Sequence, residues 1–158
     1  MNAKIIVSFL IWLVLFAVTT YLVEDMMNPN TASNLGNEQS VVLQRDHSGH
    51  YQAEAFINGV KAKVLIDTGA TEVAISQQLA DRLGIKSNAA IRTSTANGET
   101  VSYMTRLASV KIGGIEAVDV AATITPSLSQ DALLGMSFLS RMDIRLYKGT
   151  MTIKQVTE

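Results

Sequence analysis

From residue 40 onward, short apolar runs alternate with turn residues, and their spacing has the period of two that marks strands. Runs 51–57 and 60–66 flank Asn58-Gly59, the dipeptide best suited to a two-residue hairpin turn. The same reading predicts strands at 41–45, 50–57, 60–67, 90–94, 100–112, 116–124 and 131–134. A C-terminal hairpin is predicted to pair 144–147 with 151–156 around Lys148-Gly149. Ile112-Gly113-Gly114-Ile115 marks a further turn. The helical period is nearly absent from this part of the chain. Ser76 can cap one short helix whose Leu79 and Leu83 share a face, with Gly84 closing it. Many short strands with regularly spaced turns predict a mostly β, closed barrel or sandwich with one or two short helices.

The N-terminal pattern is different. Residues 5–23 carry no charge and are apolar all round rather than on one stripe, so a buried amphipathic helix does not fit. The stretch is long enough to span a bilayer core. Lys4 precedes it, and Glu24 and Asp25 follow it. That asymmetry predicts a cytoplasmic N-terminus at 1–4, a transmembrane anchor at 5–23 and a body outside the cytoplasm. For a bacterial chain this means a single-pass inner-membrane protein facing the periplasm. A cleaved signal peptide is the rival reading; the apolar stretch is long for one, and no small-x-small cleavage site follows. Residues 24–39 are rich in Asn, Ser and acids, include Pro29 and Gly36, and have no period. They read as a linker with a reach of about 50 Å at most. The remaining body, 40–158, is about 120 residues, one domain able to bury a core.

Composition narrows the partners. A net charge of −1 provides no basic footprint for nucleic acid. The chain has no cysteine, which excludes disulfides and thiolate chemistry. No internal repeat appears in the body, as expected for one lobe rather than two fused ones.

The chemistry concentrates in Asp67-Thr68-Gly69, set at the end of the apolar run Val64-Leu65-Ile66. By itself the tripeptide also fits a tight turn, with Asp67 accepting local N–H bonds. Its context, a strand end after a hairpin, is how aspartic proteases present a catalytic carboxylate. Two such carboxylates about 3 Å apart cannot both ionise, so the pair holds one proton. The charged member takes a proton from water, and the protonated member hydrogen-bonds the scissile carbonyl. Gly69, lacking a Cβ, lets the backbone pass close and aim its N–H at the carboxylate. The Thr68 hydroxyl can donate across to a partner loop. The chain holds one Asp-Thr-Gly, so this chemistry requires a homodimer with its site on the two-fold axis. It requires no metal and no cofactor.

The ordered set Gly49-His50-Tyr51, Asn58-Gly59, Asp67-Thr68-Gly69-Ala70-Thr71, Thr95-Ala96-Asn97-Gly98 and Leu133-Leu134-Gly135-Met136-Ser137-Phe138-Leu139 resembles the bacterial retropepsin-like aspartic proteases. These are membrane-anchored, single-lobe relatives of the retroviral proteases. The resemblance covers roughly 40–158. It implies a closed, mostly β retropepsin-like barrel, a dimeric site and hydrolysis of peptide bonds in protein or peptide substrates. It makes Asp67 the catalytic residue and Thr68, Gly69 and Ala70 its loop supports. Thr95, Ala96, Asn97 and Gly98 become the substrate-covering flap, within a hairpin at 95–100. Leu133, Leu134 and Gly135 become the strand that crosses behind the catalytic loop, followed by a short helix. Retroviral enzymes often carry a second Asp two residues after the Gly; this chain has Thr71, so the secondary substrate contact made there is not implied.

The other candidates read blandly. Asp46-His47-Ser48-Gly49-His50 has two His and a carboxylate, but it looks like a hairpin turn and lacks a third ligand nearby. Asp131 has no Thr-Gly after it and reads as a strand-start carboxylate. Met136, Phe138, Leu139 and Met142 read as core. An envelope endopeptidase is the leading reading. The alternative is a non-catalytic, membrane-anchored dimerisation or peptide-binding module with the same fold.

Overall fold

A computed structural model describes residues 3–27, 30–31, 35, 38–95 and 98–156. Among the described residues, one long helix precedes ten strands and two short helices. In chain order these are α1 (Ala3–Met27), β1 (Ser40–Gln44), β2 (Tyr51–Ile57), β3 (Val60–Ile66), β4 (Val73–Ile75), α2 (Gln77–Leu83), β5 (Ala90–Thr95) and β6 (Gly98–Ile112). Then come β7 (Ile115–Ile124), β8 (Ala132–Leu134), α3 (Met136–Leu139), β9 (Met142–Tyr147) and β10 (Thr150–Gln155).

Seven strands form one sheet in the order β2-β3-β8-β4-β7-β6-β5. An added pairing of Phe56 with Lys111 and Ile57 with Val110 joins β2 to β6 and closes the sheet on itself. Closure removes the free edges that an open sheet would leave. β5 lies outside the ring as one arm of a hairpin with the start of β6. A separate three-stranded sheet, β1-β10-β9, joins the two ends of the body. The fold is the mostly β, closed architecture that the pattern predicts.

Turn chemistry sets the hairpin registers. Asn58 (φ 47°) and Gly59 (φ 80°) join Ile57 to Val60, and Lys148 (φ 45°) and Gly149 (φ 81°) join Tyr147 to Thr150. Two successive positive φ values give the turn whose twist matches its strands. Alternation then decides burial. Ala53, Ala55 and Ile57 on β2 face inward, as do Ala62, Val64 and Ile66 on β3. They meet Ile75, Leu107, Val110, Ile112, Ile115, Val120, Leu134 and Phe138 in one core.

Two departures from the sequence reading concern the chain before 40. The helix runs on to Met27, past the apolar stretch. Asn30 and Leu35, in the stretch read as linker, pack against the body. Leu35 is buried in the core cluster. The Asn30 amide donates to the carbonyls of Gln44 (2.9 Å) and Gln52 (2.8 Å) and accepts from the Gln44 N–H (2.9 Å). Its carbonyl accepts from the Glu54 N–H at 3.1 Å. One side-chain amide thus fills the gap where β1 and β2 diverge, a long-range role that no local period reveals. α1 itself is long and apolar enough to cross a membrane and is exposed along its length from Lys4 to Val23.

Candidate active site

β3 delivers Asp67. Val64 and Ile66 point into the core, so the strand is held on its inner face, and β8 runs parallel beside it with Ile66 opposite Leu134. The Asp67 N–H donates to the Leu134 carbonyl at 3.1 Å, and there the ladder ends. The chain turns through Thr68 and Gly69. The Gly69 N–H donates to Asp67 Oδ1 at 2.8 Å, as its sequence position predicts, and the Ala70 N–H donates to the Asp67 carbonyl at 3.3 Å. A Cβ on Gly69 would stand 3.2 Å from Asp67 Oδ1, against the carboxylate itself. Asp67 is half-buried and Thr68 and Gly69 are exposed, so the loop presents its carboxylate at the surface. Asp67 Oδ2 has no hydrogen bond among the described residues.

β8 lies parallel beside β3, and the chain that follows it grips the loop backbone to backbone. The Met136 N–H donates to the Ala70 carbonyl at 2.8 Å, and the Ser137 N–H donates to the Thr71 carbonyl at 3.0 Å. Gly135 is buried where a Cβ would lie 2.7 Å from the Ala70 carbonyl oxygen and 2.8 Å from the Glu72 carbonyl carbon. Only glycine allows the approach. The Ser137 hydroxyl closes the clamp, accepting from the Val73 N–H at 2.9 Å and donating to the Ala121 carbonyl at 2.7 Å. Residues 70–73 are therefore bound to α3 and, through Ser137, to β7. Sequence reasoning assigns Ser137 no role, because a serine in a short helix leaves no periodic signal. Its one trace is membership of the 133–139 motif.

The flap candidates lie on the hairpin β5–β6. Thr95 pairs with Gly98, while Ala96 and Asn97 lie outside the described residues. Below the tip, hydroxyl pairs join this hairpin to the segment after β7: Thr100 to Ser127 (3.3 Å) and, fully inside, Ser102 to Thr125 (3.0 Å). The hydroxyl oxygen of Thr93, opposite Thr100, is buried with no hydrogen-bond partner among the described residues.

The acids Asp131 and Asp46 have structural duties. Asp131 binds Arg82 at 2.6 Å and accepts from the Lys63 N–H at 3.0 Å, so it ties α2 to the start of β8. Asp46 sits in a turn, accepting from the Ser48 N–H, the Ser48 hydroxyl and the His50 N–H. Slight burial works to raise its pKa, but those donors outweigh it and hold it below the ordinary carboxylate value. No group of three His, Asp or Glu among the described residues is placed to hold a metal. Met136 corrects the core expectation: Phe138 and Leu139 are fully buried, but Met136 is 38% exposed. A helix of four residues buries one side only, and Met136 opens it on the other.

The profile of the family described as gag-polyprotein putative aspartyl protease matches residues 53–141, which run from β2 through α3 and contain Asp67 and Gly135. The fold is similar to the crystal structure of a retropepsin-like aspartic protease from Rickettsia conorii, with a TM-score of 0.65 and 32% identity over 73% of this chain and 90% of that one. An uncharacterized protein in the cobV 5′ region of Sinorhizobium is 33% identical over 111 residues, 68% of this chain and 48% of that protein. An uncharacterized Rickettsia prowazekii protein is 35% identical over 104 residues, 64% of this chain and 45% of its own. The chain thus spans about half the length of these curated relatives. On the matched profile, the shared fold and the Asp-Thr-Gly loop clamped from behind, the chain belongs to the bacterial retropepsin-like aspartic protease family.

Proposed function

We propose that this protein is an aspartic endopeptidase that works as a homodimer at the periplasmic face of the inner membrane. Two Asp67 side chains, one from each copy, make the dyad. The charged carboxylate removes a proton from a water molecule, whose oxygen attacks the peptide carbonyl. The protonated carboxyl hydrogen-bonds the carbonyl oxygen as negative charge develops there. Proton return to the amide nitrogen accompanies C–N cleavage and leaves a free amine and a free carboxylate. Thr68, exposed on the loop, donates to the facing loop of the second copy. The hairpin tip at 95–100 covers the bound peptide and excludes water.

The observation that carries this reading is the state of the loop. Its acid is presented outward while its backbone is gripped by Leu134, Met136 and Ser137. A catalytic group needs that fixed geometry. The proposed anchor is α1, whose composition suits a bilayer core. The test compares wild type with Asp67→Asn on a diverse peptide mixture, reading new N-termini by mass spectrometry. Cleavage by wild type alone, with both chains equally stable to heat, is the expected result. A folded wild-type dimer that cleaves nothing under any pH condition would instead favour the non-catalytic module.

A further inference from the structure

Asn30 follows the end of α1 at Met27 by three positions, and it is fixed to the body through Gln44, Gln52 and Glu54. Three residues span at most about 11 Å. The 24–39 stretch therefore does not act as a spacer of about 50 Å. If α1 stays in the bilayer, the part of the body around Asn30 sits at the membrane surface.

Two turns flank that point of entry. Gln44 leads into Arg45, whose N–H donates to the Gly149 carbonyl, so the 45–50 and 147–150 turns lie side by side. Arg45, His47, His50 and Lys148 are exposed there. Tyr147 is 70% exposed, with Lys148 Nζ 5.3 Å from its ring centroid. Leu146, beside it, is 59% exposed. The local acid, Asp46, spends its carboxylate on the turn's own N–H and hydroxyl donors and on the Gln52 amide. Glu24 and Asp25, in the last turns of α1, are the opposing charges. Exposed tyrosine beside lysine and arginine is the composition that settles at a headgroup layer, and each basic side chain gains from anionic lipid.

We propose that the surface built by the 45–50 and 147–149 turns rests on the anionic headgroup layer of the membrane that holds α1. The body is then seated against the bilayer in a set orientation rather than suspended from it. The proposal rests on the anchor reading above and is independent of catalysis.

The chain has no cysteine, so single labels can be placed cleanly. Full-length Asp67→Asn protein carries Tyr147→Cys or Lys154→Cys, each labelled with a fluorophore, in nanodiscs of phosphatidylcholine and phosphatidylglycerol containing headgroup-nitroxide lipid. Lys154 lies at the far end of β10, four residues from Thr150, about 14 Å away at 3.4 Å per residue. The expected result is quenching at 147 roughly two-fold or more above that at 154, reduced toward the 154 level by Arg45→Glu with Lys148→Glu. Equal quenching at both labels, or stronger quenching at 154, overturns the proposal. Full quenching at 147 after charge reversal overturns the assignment of this surface. Intact mass on the same sample separates the two readings: a chain that has lost α1 overturns both anchor and seating, while a retained α1 with symmetric quenching overturns the seating alone.

Discussion

At Gly135 a single added methyl group would collide with the carbonyl groups of Ala70 and Glu72, just after the Asp67 loop. Backbone cannot yield as the end of a flexible side chain can, so Gly135→Ala is expected to cost about 3 kcal/mol. Urea denaturation measures it; a loss no larger than that of an ordinary surface change would mean the loop has room to spare. Ser137→Ala removes a part-buried hydroxyl that serves the Val73 N–H and the Ala121 carbonyl at once. A loss of about 1–3 kcal/mol is expected, with smaller loss for Ser137→Thr, which keeps the hydroxyl. The two residues differ in how openly the sequence shows them. Gly135 stands out after Leu133-Leu134 as a break in an apolar run. Ser137 is indistinguishable from a surface serine until β7 is seen beside it. Asp67 was legible for a third reason: its residue type, its Thr-Gly sequel and its strand-end position point the same way.

Among the elements, the long hairpins were readable because alternation and turn residues agree within a few positions. β4 was not. Val73–Ile75 is three residues long, too short for a period, and its partners in β7 and β8 lie about fifty and nearly sixty residues further along the chain. α2 was readable from its ends: Ser76 accepts from the Leu79 N–H at 3.1 Å and Gly84 takes the left-handed cap at φ 67°. β7 carries a feature with no sequence signature. Asp119 sits at φ 52° within it, held by Arg106 through both carboxylate oxygens, while Arg141 reaches the carbonyls of Val118 and Asp119. The bond from Arg106 holds the Asp119 pKa below its ordinary value of 3.8. A carboxylate whose folded pKa is lowered stabilises the fold above its unfolded pKa and loses that contribution as pH falls through the folded pKa. The stability gap between wild type and Asp119→Asn should therefore shrink as pH drops from about 5 to about 3. The pair is fully exposed, so the gap should be small and should narrow in salt. A gap that widens in acid would contradict the assignment.

For the whole molecule, a mostly β body with an Asp-Thr-Gly loop at the end of a strand was readable from pattern and motif together. Which strands close the ring was not, since that depends on Phe56-Ile57 meeting Val110-Lys111 across more than fifty residues. Nor was the docking of Asn30 and Leu35, because an aperiodic polar stretch looks the same whether it is packed or free. On the proposed function, each chain would hold half of an active site. Asp131→Asn should leave activity near wild type, because Asp131 serves Arg82 and the Lys63 N–H, and this checks that no second acid within one chain completes the dyad. The most direct measurement is a titration of wild-type protein with Asp67→Asn protein at constant total concentration, after subunit exchange, with the rate of peptide cleavage as readout. If one Asp67 comes from each copy, mixed dimers are inactive and the rate follows the square of the wild-type fraction, falling to about a quarter when half the chains carry the substitution. A rate that falls in simple proportion to the wild-type fraction would show that one chain suffices, and would contradict the shared site.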